Sequence, residues 1–139
     1  MDLIEDIIAI RYPLPKPGDV HPEELFADAL EAAERDRAEA AADLQARCDG
    51  LEIDPLLLEL QNASARRRAA EADTRRLLAY ARQFHGTRPY KLEDLAAATG
   101  MTPSGVRTAF SDAEIAFVTE HVNRAADGRP SRSGPRGAR

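Results

Sequence analysis

Apolar side chains recur three and four positions apart along most of this chain, and strand-length alternation is missing, so helices are expected throughout. Near the start, Ile4, Ile7 and Ile8 share one helical face with Leu3 beside them. That segment is too apolar for a free tail and is expected to dock, on its own chain or on a partner. The run Tyr12-Pro-Leu-Pro-Lys-Pro-Gly18 stops it: three alternating prolines favour polyproline II and forbid a helix. This run reads as a spacer. A long helix is expected from Pro22 to Cys48, with Leu25, Phe26, Ala29, Leu30 and Ala33 on one face. Arg37, Ala40, Ala41 and Leu44 continue that face weakly, and Asp49-Gly50 is expected to end it.

After the connector Leu51-Glu-Ile53, Asp54 and Pro55 restart a helix as cap and first residue. It is expected to run to Phe84 or His85. Leu56, Leu60, Ala63, Arg67, Ala70, Thr74, Leu77, Ala81 and Phe84 then form a heptad-like seam, apolar at its ends and interrupted by Arg67 and Thr74. The short connector allows an antiparallel hairpin of the two long helices. Neither stripe is broad enough to bury much alone, so pairing between two chains, a homodimer, is favoured over an intrachain hairpin.

From Leu92 the pattern changes to two short helices and a tight turn. Leu92, Leu95 and Ala96 share a face; Gly100 supplies the left-handed conformation that ends a helix; Met101 follows. Thr102 can cap the next helix, with Pro103 as its first residue. Val106, Ala109 and Phe110 point back at helical spacing, which leaves Ser104, Arg107, Thr108 and Ser111 outward. This stretch resembles the helix-turn-helix DNA-binding motif. Ala96 stands four residues before the turn glycine Gly100, where the family has a small residue, and Leu95, Met101 and Val106 stand at its apolar positions. Lys91 departs from the motif where a Ser, Thr or Asp often caps the first helix, and Ala109 is smaller than the branched residue often found there.

Ser111-Asp-Ala-Glu114 then reads as a capping box for a further helix, Asp112–Ala125, carrying Ile115, Phe117, Val118 and Val122. The expected core of this module is Leu77, Leu78, Ala81, Phe84, Leu92, Leu95, Ala96, Met101, Val106, Phe110, Ile115 and Val118. The resulting expectation is an all-α protein: a long antiparallel helical hairpin followed by a small trihelical helix-turn-helix module. Its divisions are an apolar segment and Pro-rich spacer over 1–20, a coiled-coil-like extension over 21–76, the DNA-binding module over 77–126, and a disordered basic tail over 127–139.

Charge sharpens this division. Of 139 residues, positions 1–60 hold 16 acidic and 5 basic side chains, net -11, while 61–139 hold 8 and 14, net +6. The half that resembles a DNA-binding motif is the cationic half, as phosphate contact requires. Arg66, Arg67, Arg68, Arg75 and Arg76 have two readings: phosphate contact, or pairing with the acidic helix that carries Glu31, Glu34, Asp36, Glu39 and Asp43. The single cysteine, Cys48, allows no internal disulfide and suits a reducing cytoplasm. Met1 to Ile10 has acidic residues and no basic start, so a secretory leader is not expected, nor is a membrane span.

Catalytic chemistry is not expected. His21, His85 and His121 have no ligand at metal-binding spacing, and no glycine-rich phosphate loop or nucleophile elbow is present. No cofactor is expected. The reading is a cytoplasmic, dimeric transcriptional regulator that binds double-stranded DNA. The helix from Pro103 to Phe110 would enter the major groove. Arg107 would read a base, Thr102, Ser104 and Thr108 would be further contacts, and Lys91 and Arg88 would hold the backbone. The alternative is a non-catalytic adaptor whose acidic N-terminal helices bind RNA polymerase or another protein.

Overall fold

The computed structural model describes residues 2–127 and is all-helical, with no strand among them. The order is α1 (Leu3–Arg11), a short 3-10 turn (Glu23–Leu25), α2 (Phe26–Leu51), α3 (Pro55–Gln83), α4 (Leu92–Thr99), α5 (Pro103–Thr108) and α6 (Asp112–Val122). No helix among the described residues is long and apolar enough to cross a membrane. The chain forms two compact units, one ending at Ala65 and the other beginning at Arg66, and α3 contributes to both.

In the first unit, Asp2 starts α1 by accepting from the amides of Ile4 and Glu5 at 2.9 and 3.3 Å. The apolar face of α1 docks on its own chain. Ile7 and Ile8 are buried with Leu44 and Cys48 of α2 and Leu58 of α3, and Ile4, Ala40, Ala41 and Ile53 pack around them. Arg37, on the weak continuation of the apolar face of α2, has a defined role. Its guanidinium donates to the carbonyls of Tyr12 and Ala9, groups that the end of α1 leaves unpaired. Arg11 reaches Glu59 on α3 at 2.6 Å.

The boundaries of α2 differ from expectation. Glu23–Leu25 is a 3-10 turn, and the α-helix begins at Phe26. At the other end the helix runs through Asp49 and Gly50 to Leu51. Glu52 then takes the left-handed turn at φ +52°, and its amide bonds Cys48 O. A glycine inside a helix costs only about 1 kcal/mol relative to alanine. Continuing the helix lets the next residue, Ile53, reach the Ile7–Leu44 cluster, its amide also bonding Cys48 O at 3.3 Å.

Asp54 opens α3, its carboxylate accepting from the Leu57 amide at 3.1 Å. The charges of the long helices are matched locally. Glu31–Arg35 and Asp43–Arg47 pair along α2, and Arg67–Glu71 and Arg76–Asp73 pair along α3. Such exposed pairs stabilise by only about 0–1 kcal/mol each.

The second unit builds its core from the end of α3 and the three short helices. Leu78, Ala96 and Val106 form one buried cluster, and Ala79, Phe84 and Val118 form another; Phe110 packs on both. Leu77, expected in this core, is 67% exposed, whereas Ala79 is fully buried. A helix turns about 100° per residue, so burying Leu78 and Ala79 directs Leu77 outward. Beyond Gln83 the chain leaves the helix, because the last carbonyls of α3 are taken from outside. Tyr90 N bonds Ala81 O at 3.2 Å, Asp127 N bonds Gln83 O at 2.8 Å and Arg124 donates to Phe84 O at 2.9 Å. Asp127, expected to begin a tail, is thus bonded to the module. The expected disordered stretch beyond it, 128–139, lies outside the described residues. The last helix, α6, stops at Val122 rather than Ala125, where Asn123 turns left-handed at φ +56°.

Candidate nucleic-acid interface

The turn between α4 and α5 is built from local chemistry. Gly100 sits at φ +71°, a conformation in which a side chain is strained. Thr99 Oγ1 bonds back to Leu95 O at 2.7 Å and accepts from the Met101 amide at 3.3 Å, so the turn is tied to the helix it leaves. Thr102 caps α5, its Oγ1 accepting from Gly105 N at 2.9 Å, and Pro103 occupies the first position, where an amide would have no partner.

Helix α5 has six residues, Pro103–Thr108, and is about 9 Å long at 1.5 Å per residue. It ends two residues short of the expected Phe110, because Ala109 N bonds Val106 O and the chain turns toward the Ser111 cap of α6. Its inner side is anchored by Val106, which has no exposed surface, with Ala109 and Phe110 half-buried behind it. Its outer side carries Ser104, Arg107 and Thr108, three and four residues apart and all exposed.

The six candidate contacts are all exposed but not equally free. Arg107 makes no hydrogen bond or ion pair among the described residues. Thr108 Oγ1 donates to Ser104 O and Gly105 O, both at 3.3 Å, so its proton is engaged on the helix itself. Thr102 has a lone pair committed to its cap but keeps its proton. Lys91 stands at the N-cap of α4 without a side-chain cap bond, and Arg88 lies in the preceding loop, its amide bonded to His85 O at 3.1 Å. The structure joins Ser104, Arg107 and Thr108 on one short stripe and leaves Lys91 and Arg88 on neighbouring elements. Other arginines of this unit are committed elsewhere: Arg82 to Tyr90 O at 2.7 Å, Arg124 to Phe84 O, and Arg76 over the Phe117 ring at 3.6 Å.

One feature of this unit had no sequence signal, because it depends on how α3 passes α5. A groove of about 740 Å³ runs between the middle of α3 and the α5–α6 corner. Arg67, Glu71 and Arg75 lie on the α3 side, and Gly105, Thr108 and Glu114 on the other. Among the described residues no cluster of His, Cys, Asp and Glu could hold a metal ion. Comparison with protein-family models, curated proteins and solved structures found no match.

Proposed function

We propose that the protein binds double-stranded DNA as a dimeric transcriptional regulator in the cytoplasm, with α5 in the major groove. The observation that carries this reading is the outer stripe of α5. It is narrow, solvent-facing and anchored from behind by Val106, and its cation Arg107 has no hydrogen bond or ion pair among the described residues. A guanidinium offers paired donors that match guanine O6 and N7, a contact that discriminates by about 1–3 kcal/mol. Ser104 and Thr102 position phosphates, and Lys91 and Arg88 add sequence-independent attraction. Dimerisation is supported by Leu56, Leu60 and Leu77 of α3, which are 47%, 58% and 67% exposed at seam spacing.

Selection of bound duplexes from a random pool tests the reading. A consensus should emerge, affinity should fall steeply with salt, and Arg107→Ala should flatten the preference while leaving weak binding. An Arg107→Ala protein with full selectivity removes α5 as the reader.

The alternative, an adaptor that binds another protein, is favoured by the first unit. It is the acidic half of the chain and exposes Leu51, Leu56, Leu57 and Leu60, close in sequence to Asp49, Glu52, Asp54 and Glu59, which suits a partner with basic and apolar side chains. No retention of any duplex at low salt, in the selection above, would favour this reading over the first.

A further inference from the structure

From the groove between α3 and α5 we infer a binding site for a small amphipathic zwitterion, an apolar amino acid or a molecule of the same chemistry. Its carboxylate would lie toward Arg75, its ammonium toward Glu114, and its apolar body against Met101 and Phe110. The site does not depend on whether α5 meets DNA.

Size and lining both point this way. About 740 Å³ falls within the roughly 300–1,000 Å³ of small-molecule sites. Ala70, Met101, Ala109 and Phe110 supply apolar surface, and the last three are half-buried on the Leu78–Val106 cluster, so that surface is fixed by the core.

The polar groups choose the ligand's charge. Arg67 and Arg75 face Glu71 and Glu114, so the lining has no net charge. A bare anion would meet two carboxylates, a bare cation two guanidiniums, and an uncharged apolar molecule would desolvate all four without replacing their water. Within the lining, Arg67 is held by Glu71 at 3.2 Å, while Arg75 has no hydrogen bond or ion pair among the described residues. Arg75 is therefore the cation left for a carboxylate.

The hydroxyls favour an ammonium near them. Thr74 donates to Ala70 O at 2.9 Å, Thr108 to Ser104 O and Gly105 O, and Ser111 to Glu114 Oε2 at 2.7 Å. Their protons are used and their lone pairs remain, so they accept but do not donate. Glu114 takes both Ser111 bonds through Oε2, which leaves Oε1 as its acceptor for a ligand. Its carboxyl is held below the usual range by the Ser111 side-chain and backbone bonds, with a smaller contribution from the charge of Arg75, so it stays ionised at neutral pH. Met101, Gly105 and Thr108 belong to the turn and helix that would contact DNA, so an occupant touches the proposed reading element directly.

The test is titration of the full chain, labelled with 15N, with L-phenylalanine, 3-phenylpropionate (the carboxylate alone) and 2-phenylethylamine (the ammonium alone). L-Phenylalanine should shift the amides of Met101, Gly105 and Ser111 saturably. Arg75→Gln and Glu114→Gln should each weaken it about tenfold, the loss of one charge-assisted contact. Each single-charge analogue should bind more weakly and respond only to the variant facing its own charge. Glu114→Gln keeps a capping side chain, and Arg75 is exposed, so both variants should fold; unchanged amide dispersion checks this. Absence of saturable shifts with L-phenylalanine overturns the inference. So does wild-type affinity in both variants, or equal binding of 3-phenylpropionate, and none of these results affects the DNA selection.

Discussion

Thr102 Oγ1 accepts a 2.9 Å hydrogen bond from the Gly105 amide, and this bond fixes where α5 begins. A Cβ on Gly105 would lie 3.1 Å from that same oxygen, so glycine gives the cap its room. Thr102→Ser should keep the bond and melt near wild type, whereas Thr102→Ala should lose about 1 kcal/mol. Gly105→Ala gains helix propensity but crowds the hydroxyl, so it should fail to stabilise and should lose its penalty in the Thr102→Ala background. Thermal melts of the two single variants and the double variant measure this coupling.

The features most legible in the sequence were those decided by near neighbours. Gly100, the Thr102–Pro103 start and the Ser111–Glu114 box each need only residues within one turn, and each stands where the side-chain chemistry places it. Faces decided by tertiary packing were less legible. The leucine runs Leu56–Leu58 and Leu77–Leu78 offer adjacent residues to different sides of α3, and spacing alone does not select one. The buried choices are Leu58, Leu78 and the small Ala79, which has almost no hydropathic signal. Spacing places Arg37 in the weak continuation of an apolar face, and its bonds to the end of α1 join residues 25 and 28 positions apart, beyond any local pattern. The groove beside α5 combines residues more than thirty positions apart, so no local pattern could indicate it.

Arg11 and Glu59 join α1 to α3 at 2.6 Å, with side chains 31% and 15% exposed. Removing either partner leaves the other partly desolvated, so Arg11→Ala or Glu59→Ala should each cost about 1–3 kcal/mol. Replacing both should cost less than the sum of the single losses, since no unpaired charge remains. Urea denaturation of the four proteins closes the cycle; strict additivity would show that the pair is not coupled.

Glu114 makes the stability of the second unit depend on pH. Its carboxyl lies below the ordinary 4.5 because the ionised form accepts from the Ser111 hydroxyl and amide. A lowered folded-state value stabilises the fold above the unfolded-state pKa, and that contribution disappears as the pH falls through the folded value. Glu114→Gln does not titrate. The melting advantage of wild type over Glu114→Gln should therefore be constant near pH 7 and shrink as the pH falls below the ordinary 4.5. A difference independent of pH would separate the capping bonds from the charge.

Leu77 and Leu78 separate folding from assembly. They are adjacent on α3, yet Leu77 is 67% exposed and Leu78 only 2%. Truncating Leu78 removes side-chain atoms from the Ala96–Val106 cluster and leaves a cavity, so Leu78→Ala should cost about 2–5 kcal/mol. Truncating Leu77 removes surface already in contact with water, so Leu77→Ala should change the stability of a single chain by less than about 0.5 kcal/mol. If α3 pairs two chains through its exposed seam, Leu77 loses contacts in the dimer alone. Light scattering across a dilution series should then show Leu77→Ala dissociating at higher concentration than wild type, while its melt at high dilution stays the same. Equal dissociation of the two proteins would remove Leu77 from the interface, and a monomeric wild type at every concentration would exclude the seam altogether.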